Sequence, residues 1–328
     1  MKDKSVGILG TGKYTPDNRL TNAQLEQIVE TNDEWIVTMT GIKERRIVAE
    51  GQATSDLAYE ASVRAMKAAG VTADQIDLII VATITPDMFF PSTACLLQEK
   101  LGAKRAAAYD LSAACSGFIY AIASATGFIK MGMYKHVLVV GAESLSRITD
   151  YTDRNTCILF GDGAGAVVLG EVPEGRGFKS FELGADGSGG ELLRICGGGS
   201  RQPSSEQSVA ERRHFIEMNG REVFKFAVRI MGNAAEEALA KAGLTKENID
   251  LLIPHQANIR IIQSALDRLD LTRDKCMVNI DKYGNMSAAS IPVALAEAVE
   301  EGRVKEGDCL VFVGFGGGLT WGASVLIW

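Results

Sequence analysis

The 328-residue sequence contains 34 Lys and Arg against 41 Asp and Glu, and the resulting net charge of −7 argues against non-specific binding to nucleic acid. Hydrophobic residues make up 46% and charged residues 23%, an ordinary globular composition in which no apolar run is long enough to span a membrane. Neither a Cys-x-x-Cys nor a His-x-x-x-His pair occurs, so we predict no metal site. Because the sequence shows no export signal, we expect a cytoplasmic protein with free thiols.

Short runs rich in β-branched residues alternate with longer helical patterns along the chain. The first apolar run, residues 1–12, is broken by Gly7 and Gly10 and predicts a β-strand rather than a signal peptide. Further strands are predicted at 79–83, 137–141, 166–169, 251–253 and 310–313, and helices at 56–69, 118–130, 222–242 and 291–301. This alternation indicates an α/β fold with helices packed on the sheet faces.

The chain also carries an internal repeat. Residues 69–80 match residues 242–253, and residues 136–141 match residues 309–314, so both pairs share one offset (242 − 69 = 309 − 136 = 173). Two helix–strand units that recur in the same order indicate duplication of an α/β half, although chance similarity of common α/β patterns is the alternative. We place the boundary near 172, which predicts an N-terminal half, 1–172, and a C-terminal half, 173–328.

Cys115 is the first candidate for chemistry. Small residues flank it, and the apolar segment that follows predicts a buried helix with Cys115 at or near its N-terminus. There the helix dipole and free N–H groups are expected to favour a thiolate, which is a strong nucleophile toward thioesters. A cysteine that only packs in the core is the competing interpretation.

Two further side chains and a glycine run lie where reactive groups are often found. His255 follows a predicted buried strand, at the strand end where α/β sheets place reactive groups. Asn285 lies in a turn before a helix, and its amide can donate hydrogen bonds to an oxyanion. The backbone N–H groups of 316–318 can do the same. A surface histidine, a turn asparagine and a tight bend are the simpler explanations.

Taken together, these segments resemble 3-oxoacyl-[acyl-carrier-protein] synthase III, the initiating ketoacyl synthase of bacterial fatty acid synthesis. The resemblance rests on 33–37 (Asp-Glu-Trp-Ile-Val), 40–42 (Thr-Gly-Ile), 113–117 (Ala-Ala-Cys-Ser-Gly), 254–258 (Pro-His-Gln-Ala-Asn), 283–290 (Tyr-Gly-Asn-Met-Ser-Ala-Ala-Ser) and 315–322 (Phe-Gly-Gly-Gly-Leu-Thr-Trp-Gly). It implies a thiolase-like fold of duplicated α/β halves and a homodimer. It also implies an acyltransferase that condenses a short acyl-CoA primer with malonyl-acyl-carrier-protein, releasing coenzyme A and carbon dioxide, without a permanently bound cofactor.

The resemblance also assigns roles to individual residues. Cys115 would carry the acyl group, His255 and Asn285 would complete the triad, and the Gly317 N–H would join that of Cys115 in an oxyanion hole. The other assignments concern binding: Trp35 and Arg154 around the adenine of coenzyme A, Gly220 and Asn258 along the pantetheine channel, Phe90 in the partner subunit's acyl pocket, and Lys225, Gln256, Ala257, Asn258, Ile259 and Arg260 at the carrier protein. Because elongating ketoacyl synthases use two histidines and thiolases a second cysteine, Asn285 favours the initiating type.

Two positions depart from the family pattern, and two alternatives stay open. Met39 stands where the family commonly has an Arg that reaches the phosphates of coenzyme A, and Lys43 replaces another frequent Arg. A basic patch of Lys225, Arg229 and Arg260 is expected to meet the acidic carrier protein. The alternatives are a condensing enzyme or acyltransferase of a specialised pathway and a non-catalytic acyl-CoA-binding partner. The sequence does not decide which primer is used.

Overall fold

Two mixed β-sheets form the framework of the protein, and the computed structural model describes residues 4–328. The strands are β1 (Val6–Tyr14), β2 (Arg19–Thr21), β3 (Glu44–Arg46), β4 (Leu78–Ala82), β5 (Ala107–Leu111), β6 (Val137–Ser144), β7 (Asp162–Glu171), β8 (Gly177–Ala185), β9 (Leu193–Arg194), β10 (Glu217–Met218), β11 (Leu251–Pro254), β12 (Cys309–Gly316) and β13 (Thr320–Ile327). The helices are α1 (Asn22–Leu25), α2 (Asp33–Thr40), α3 (Thr54–Ala69), α4 (Thr93–Leu101), α5 (Gly117–Lys130), α6 (Glu206–Ala210), α7 (Gly220–Lys241), α8 (Ile259–Leu269), α9 (Ile280–Tyr283) and α10 (Ser290–Glu300).

Each large sheet is built from one part of the chain. The first has the order β1-β7-β6-β4-β5, and the second has the order β11-β12-β13-β8. The chain passes from one to the other between Glu171, where β7 ends, and Gly177, where β8 begins. The predicted strand from residue 1 begins at Val6, and residues 1–3 lie outside the described residues.

Two apolar helices lie between the sheets. Helix α5 packs on β6 of the first sheet and on β13 of the second, and α10 packs on β7 and on β11. Their side chains share one core with both sheets, in which Phe118, Ile291 and Phe312 are almost completely buried. Helices α3 and α4 cover the outer face of the first sheet, and α7 and α8 cover that of the second. The result is five alternating layers of helix and sheet. No helix within 4–328 is both long enough and apolar enough to cross a bilayer.

The internal repeat extends to backbone conformation. Helix α5 begins at Gly117 and α10 at Ser290, which again differ by 173 (290 − 117). Each is preceded by a short 3-10 turn whose first residue has a left-handed backbone, Ala114 at φ 45° and Ser287 at φ 44°. Non-glycine residues rarely adopt this conformation, and it is concentrated at functional sites. The duplicated halves therefore place two similar strained turns close together in the middle layer.

Gly141 of β6 shows how tightly the middle layer is packed. A Cβ at this position would lie 2.2 Å from the carbonyl oxygen of Ala288, just before α10. Because that neighbour is backbone, it cannot rotate away. The first sheet and the turn that carries Ser287 are therefore in direct backbone contact.

We predict that Gly141→Ala lowers the free energy of unfolding by about 1–3 kcal/mol, since the added methyl overpacks this contact. The matched control is Gly127→Ala on the exposed side of α5, where an added Cβ meets nothing within 4 Å. It should instead stabilise by about 0.5–1 kcal/mol through helix propensity. Urea unfolding of both variants measures the difference, and equal stabilities would contradict the packing argument.

Candidate active site

Cys115 lies in the 3-10 turn between β5 and α5, two residues before the helix begins. Hydroxyl groups tie this turn to the end of the second sheet. The Ser116 Oγ lies 2.8 Å from both the Ala113 carbonyl oxygen and Thr320 Oγ1, and Thr320 Oγ1 lies 3.2 Å from the Gly317 carbonyl oxygen. The turn that carries Cys115 and the glycine-rich turn 316–318 are thus held against each other.

The end of β12 brings the second half of the chain to Cys115. A Cβ on Gly316 would lie 2.5 Å from the Cys115 nitrogen, so a side chain there is excluded. A Cβ on Gly314 would lie 3.3 Å from the His255 Cβ and 3.5 Å from the Cys115 carbonyl oxygen. His255 follows β11, the parallel neighbour of β12, and its backbone nitrogen donates to the Val313 carbonyl oxygen at 2.7 Å. One strand therefore positions both Cys115 and His255.

Asn285 reaches the same place from the turn before α10. Its backbone pairs with the segment around Phe160, with the Asn285 nitrogen 2.9 Å from the Leu159 carbonyl oxygen. The Asn285 Oδ1 accepts a 2.8 Å hydrogen bond from the Ser287 nitrogen. Since the amide oxygen is occupied in this way, the amide NH₂ is left to face the cavity as a donor.

The structure also orients the imidazole of His255. Its Nδ1 is buried and has no hydrogen-bond partner among the described residues, and His255 lines the cavity together with Cys115 and Asn285. Orphaned buried N–H groups are rarer than orphaned acceptors, which favours the tautomer with the proton on Nε2. His255 and Asn285 can therefore present two N–H donors to the same ligand.

Burial controls the ionisation of the site. It lowers the pKa of His255 to about 3, so the imidazole is neutral at physiological pH. It raises the pKa of Cys115 to about 12. The predicted helix N-terminus is present, but the expected resting thiolate is wrong, because the enclosed thiol stays protonated near neutral pH. Attack by Cys115 therefore needs a proton acceptor.

Three cavities follow one another from the surface inward, and this site lies in the middle one. The mouth, about 1000 Å³, is lined by Trp35, Met39, Arg221, Lys225 and Arg260 among others. A middle cavity of about 100 Å³ is lined by Cys115, His255 and Asn285, and shares Gly220 and Asn258 with the mouth. An inner cavity of about 430 Å³ lies beyond Cys115 among apolar side chains that include Ile84, Leu145 and Ile216. A long, narrow ligand therefore fits with its reactive end at Cys115.

Aromatic and cationic side chains are paired at the mouth. The Arg154 guanidinium lies 4.7 Å from the centre of the Trp35 ring, and that of Arg260 lies 4.9 Å from the centre of the Phe224 ring. Because 4.7 Å is a direct stacking contact, an adenine can enter between Trp35 and Arg154 only if the exposed Arg154 side chain moves. Met39 is partly exposed beside them, and its carbonyl oxygen accepts a hydrogen bond from Asn258.

Two residues that were predicted to contact the carrier protein, Gln256 and Ala257, are buried instead of exposed. Gln256 is fully buried and bonds to the carbonyl oxygens of Pro254 and Met277, so its prediction as a surface contact for the carrier protein is wrong. It instead fixes the loop that carries His255. Ala257 is also buried, at 9% exposure. Phe90 is 84% exposed and lines none of the three cavities of its own subunit.

Sequence reasoning missed four polar residues at the site. Ser116 and Thr320 clamp the two turns together, while Glu143 and Ser287 lie buried behind Cys115. Glu143 had a detectable signal, because it is an acidic residue at the end of the otherwise apolar run 137–142. The serines and the threonine had none. Across 4–328, no three His, Cys, Asp or Glu side chains are close enough together to hold a metal ion.

Comparison with known proteins agrees with this geometry. Two family models match, "3-Oxoacyl-[acyl-carrier-protein (ACP)] synthase III" over residues 109–187 and "3-Oxoacyl-[acyl-carrier-protein (ACP)] synthase III C terminal" over residues 239–328. The β-ketoacyl-[acyl-carrier-protein] synthase III of Desulfitobacterium hafniense (strain Y51) is 59% identical over 99% of this chain and 98% of its own length. The chain belongs to the 3-oxoacyl-[acyl-carrier-protein] synthase III family.

Solved structures of synthase III share the whole fold. That from Thermus thermophilus is 51% identical and superposes with a TM-score of 0.92, covering 98% of this chain and 99% of the other. That from Aquifex aeolicus VF5 is 49% identical with a TM-score of 0.91, covering 98% of this chain and 100% of the other. The predicted thiolase-like α/β fold is confirmed. The chain is accordingly an acyltransferase that initiates fatty acid synthesis on acyl-CoA and malonyl-acyl-carrier-protein, and this family needs no permanent cofactor.

We predict that His255 does not titrate between pH 5.5 and 8, because burial lowers its pKa to about 3 and the neutral form persists throughout. Nuclear magnetic resonance of the protein with labelled histidines measures this, and the His255 signal is assigned by its loss in His255→Gln. A chemical-shift midpoint between pH 6 and 7 would show that the imidazole is accessible to protons and that the proposed neutral donor is wrong.

Proposed function

We propose that the chain joins a short acyl group, held as a thioester on Cys115, to the malonyl group of malonyl-acyl-carrier-protein. The observation that supports this most strongly is the convergence of Cys115, His255 and Asn285 on one small cavity between a long mouth and an apolar inner cavity. We also infer that the N-terminal half, 1–172, supplies the nucleophile and that the C-terminal half, 173–328, supplies His255 and Asn285.

The first stage is acyl transfer from coenzyme A. Cys115 attacks the thioester carbonyl, the carbon–sulfur bond to coenzyme A breaks, and the acyl chain occupies the inner cavity. We assign the oxyanion hole to the N–H groups of Cys115 and Gly317. Support comes from Gly317, which lines the inner cavity with Cys115, and from the Ser116–Thr320 contact that fixes the two turns. Fixed donors of this kind stabilise a developing oxyanion without reorganisation.

The second stage is decarboxylation and carbon–carbon bond formation. The malonyl thioester enters the same channel along Gly220 and Asn258, and its carbonyl oxygen accepts hydrogen bonds from His255 Nε2–H and Asn285 Nδ2–H. As carbon dioxide leaves, these donors hold the enolate. The enolate carbon then attacks the acyl-Cys115 carbonyl, the carbon–sulfur bond to Cys115 breaks, and the released thiolate takes a proton from water to restore the resting thiol. Because both donors are neutral, no base is required to start decarboxylation.

The remaining partner contacts belong to the same proposal. Trp35 and Arg154 would hold the adenine of coenzyme A. Lys225, Ile259 and Arg260, with Arg229 nearby, would receive the acidic carrier protein at the mouth, where Lys225, Arg229 and Arg260 are exposed. The adjacent exposed apolar residues Met88, Phe89 and Phe90 support a homodimer in which Phe90 walls the partner subunit's acyl pocket. The cytoplasm, with its pool of acyl-CoA and reduced thiols, is the expected location.

We expect Cys115 to be the residue labelled by acetyl-CoA or isobutyryl-CoA, because it alone of the six cysteines lines the middle and inner cavities. Cys115→Ser should abolish the label. His255→Ala and Asn285→Ala should keep it but slow condensation about 10²–10³-fold, since each removes one enolate donor. Mass spectrometry of the protein and a product assay measure the two steps. If no short acyl-CoA labels Cys115, or if both variants condense normally, the assigned roles are wrong.

We predict that Met39→Arg lowers the KM for acyl-CoA about 2–5-fold, because it adds a cation at the mouth where nucleotide phosphates are expected, a gain typical of an exposed ion pair. The hydrogen bond from Asn258 goes to the Met39 backbone and is kept in the variant. An acyl-pantetheine substrate, which lacks the nucleotide, is the matched control and should show no change. An equal effect on both substrates would contradict a phosphate contact.

A further inference from the structure

Glu143, at the end of β6, is a buried acid for which the condensation described above has no use. It is 0% exposed. Its carboxylate accepts hydrogen bonds from Thr85 Oγ1 at 2.6 Å, Thr83 Oγ1 at 3.2 Å and the Ile84 nitrogen at 3.2 Å, and it forms no ion pair within the described chain. A buried carboxylate without a cation is costly and is rarely kept for packing alone.

Ser287 joins Glu143 to the nucleophile. The turn that begins at Ser287 packs on the Cys115 turn and on β6, the strand that carries Glu143, and Ser287 and Cys115 both line the inner cavity. The hydroxyl is buried, and it closes no hydrogen bond in the resting structure. The left-handed backbone of Ser287, with its N–H held by Asn285 Oδ1, fixes the direction of this side chain. The chain thus has an uncommitted hydroxyl on a turn that contacts both the strand of the acid and the turn of the thiol that must lose a proton.

His255 is the weaker candidate for taking that proton. Burial disfavours its charged form, and no acidic side chain bonds to the ring to stabilise an imidazolium. The ionised form of Glu143, by contrast, is already stabilised by three hydrogen-bond donors. Of the two groups close to Cys115, the carboxylate is therefore the better acceptor.

We propose that Glu143, acting through the Ser287 hydroxyl, receives the Cys115 proton as acyl transfer begins. This rests on the proposed function of Cys115. The S–H bond breaks as Ser287 Oγ takes the proton and passes its own to Glu143, while the Cys115 sulfur bonds to the acyl carbon. The thioester C–S bond then breaks, the departing thiolate takes a proton from Ser287 Oγ, and Ser287 regains one from Glu143, which leaves the carboxylate ionised again. Glu143 is a positioning residue, since it never touches substrate.

The relay predicts a particular pH dependence. Burial raises the pKa of Glu143 to about 7, and only its ionised form can accept a proton. Acyl transfer should therefore accelerate as pH rises toward about 7 and then level off. The groups that face Glu143 are Thr83, the Ile84 N–H and Thr85 after β4, Ser287 before α10, and Cys115 before α5. Among these only Cys115 titrates, and because burial raises its pKa to about 12, its ionisation lies above the range in which Glu143 changes charge.

The test is the rate of Cys115 acylation by acetyl-CoA, and of its alkylation by iodoacetamide, from pH 5.5 to 9. Glu143→Gln should remove the inflection near pH 7 and slow both reactions about 10²-fold at neutral pH. Ser287→Gly keeps the left-handed turn but lacks the hydroxyl, and it should have the same effect. Glu297→Gln is the matched control, because Glu297 is also buried but bonds to Asn279 and Lys282, away from Cys115.

The outcomes separate this relay from the function on which it rests. If Glu143→Gln and Ser287→Gly keep the native profile while acetyl-CoA still labels Cys115, the relay is overturned and the condensing function stands. If acyl-CoA never labels the native protein, the function fails, whereas the alkylation profile still shows whether Glu143 controls the thiol. Should Glu143→Gln fail to fold, Ser287→Gly decides alone, since it removes only one hydroxymethyl group from the protein.

Discussion

The close approach of β12 to the Cys115 turn is the contact on which the site depends. Gly316 lies so near the Cys115 nitrogen that any side chain would displace the turn, and Gly314 lies against both His255 and Cys115. A strand without side chains at its end can bring a nucleophile from one half beside a histidine from the other. The duplicated fold supplies two such halves, and the glycines let them meet. Catalytic geometry here is a consequence of backbone packing.

The middle cavity, where Cys115, His255 and Asn285 converge, is also almost free of cationic side chains. Cys115 and His255 are enclosed and neutral at rest, and the donors aimed at the cavity are N–H groups of an imidazole, an amide and the backbone. In such a low-dielectric space, a neutral donor stabilises a developing negative charge more than it would in water. It also leaves His255 and Asn285 uncharged before the reaction. The basic side chains Arg221, Lys225 and Arg260 lie at the mouth instead.

The sequence predicted the fold and three of the residues that line the middle cavity, but not the polar network behind them. Periodicity and the 173-residue repeat indicated α/β halves, and family segments indicated Cys115, His255 and Asn285, because these are properties of contiguous residues. The burial of Gln256 and the raised pKa of Cys115 were beyond it, since both depend on enclosure by distant parts of the chain. For the same reason, the left-handed turns at Ala114 and Ser287 carry no local signal, as neither is glycine or asparagine.

The narrow middle cavity has a consequence for the order of events. At about 100 Å³, it has room for one thioester arm beside Cys115, and it shares lining residues with both the mouth and the inner cavity. The two substrates therefore occupy the channel one after the other. Coenzyme A, released from the first substrate, must leave before the malonyl arm of the second can enter. The enzyme therefore passes through a double-displacement cycle with no ternary complex. Free coenzyme A and the loaded carrier protein therefore exclude each other from the same channel.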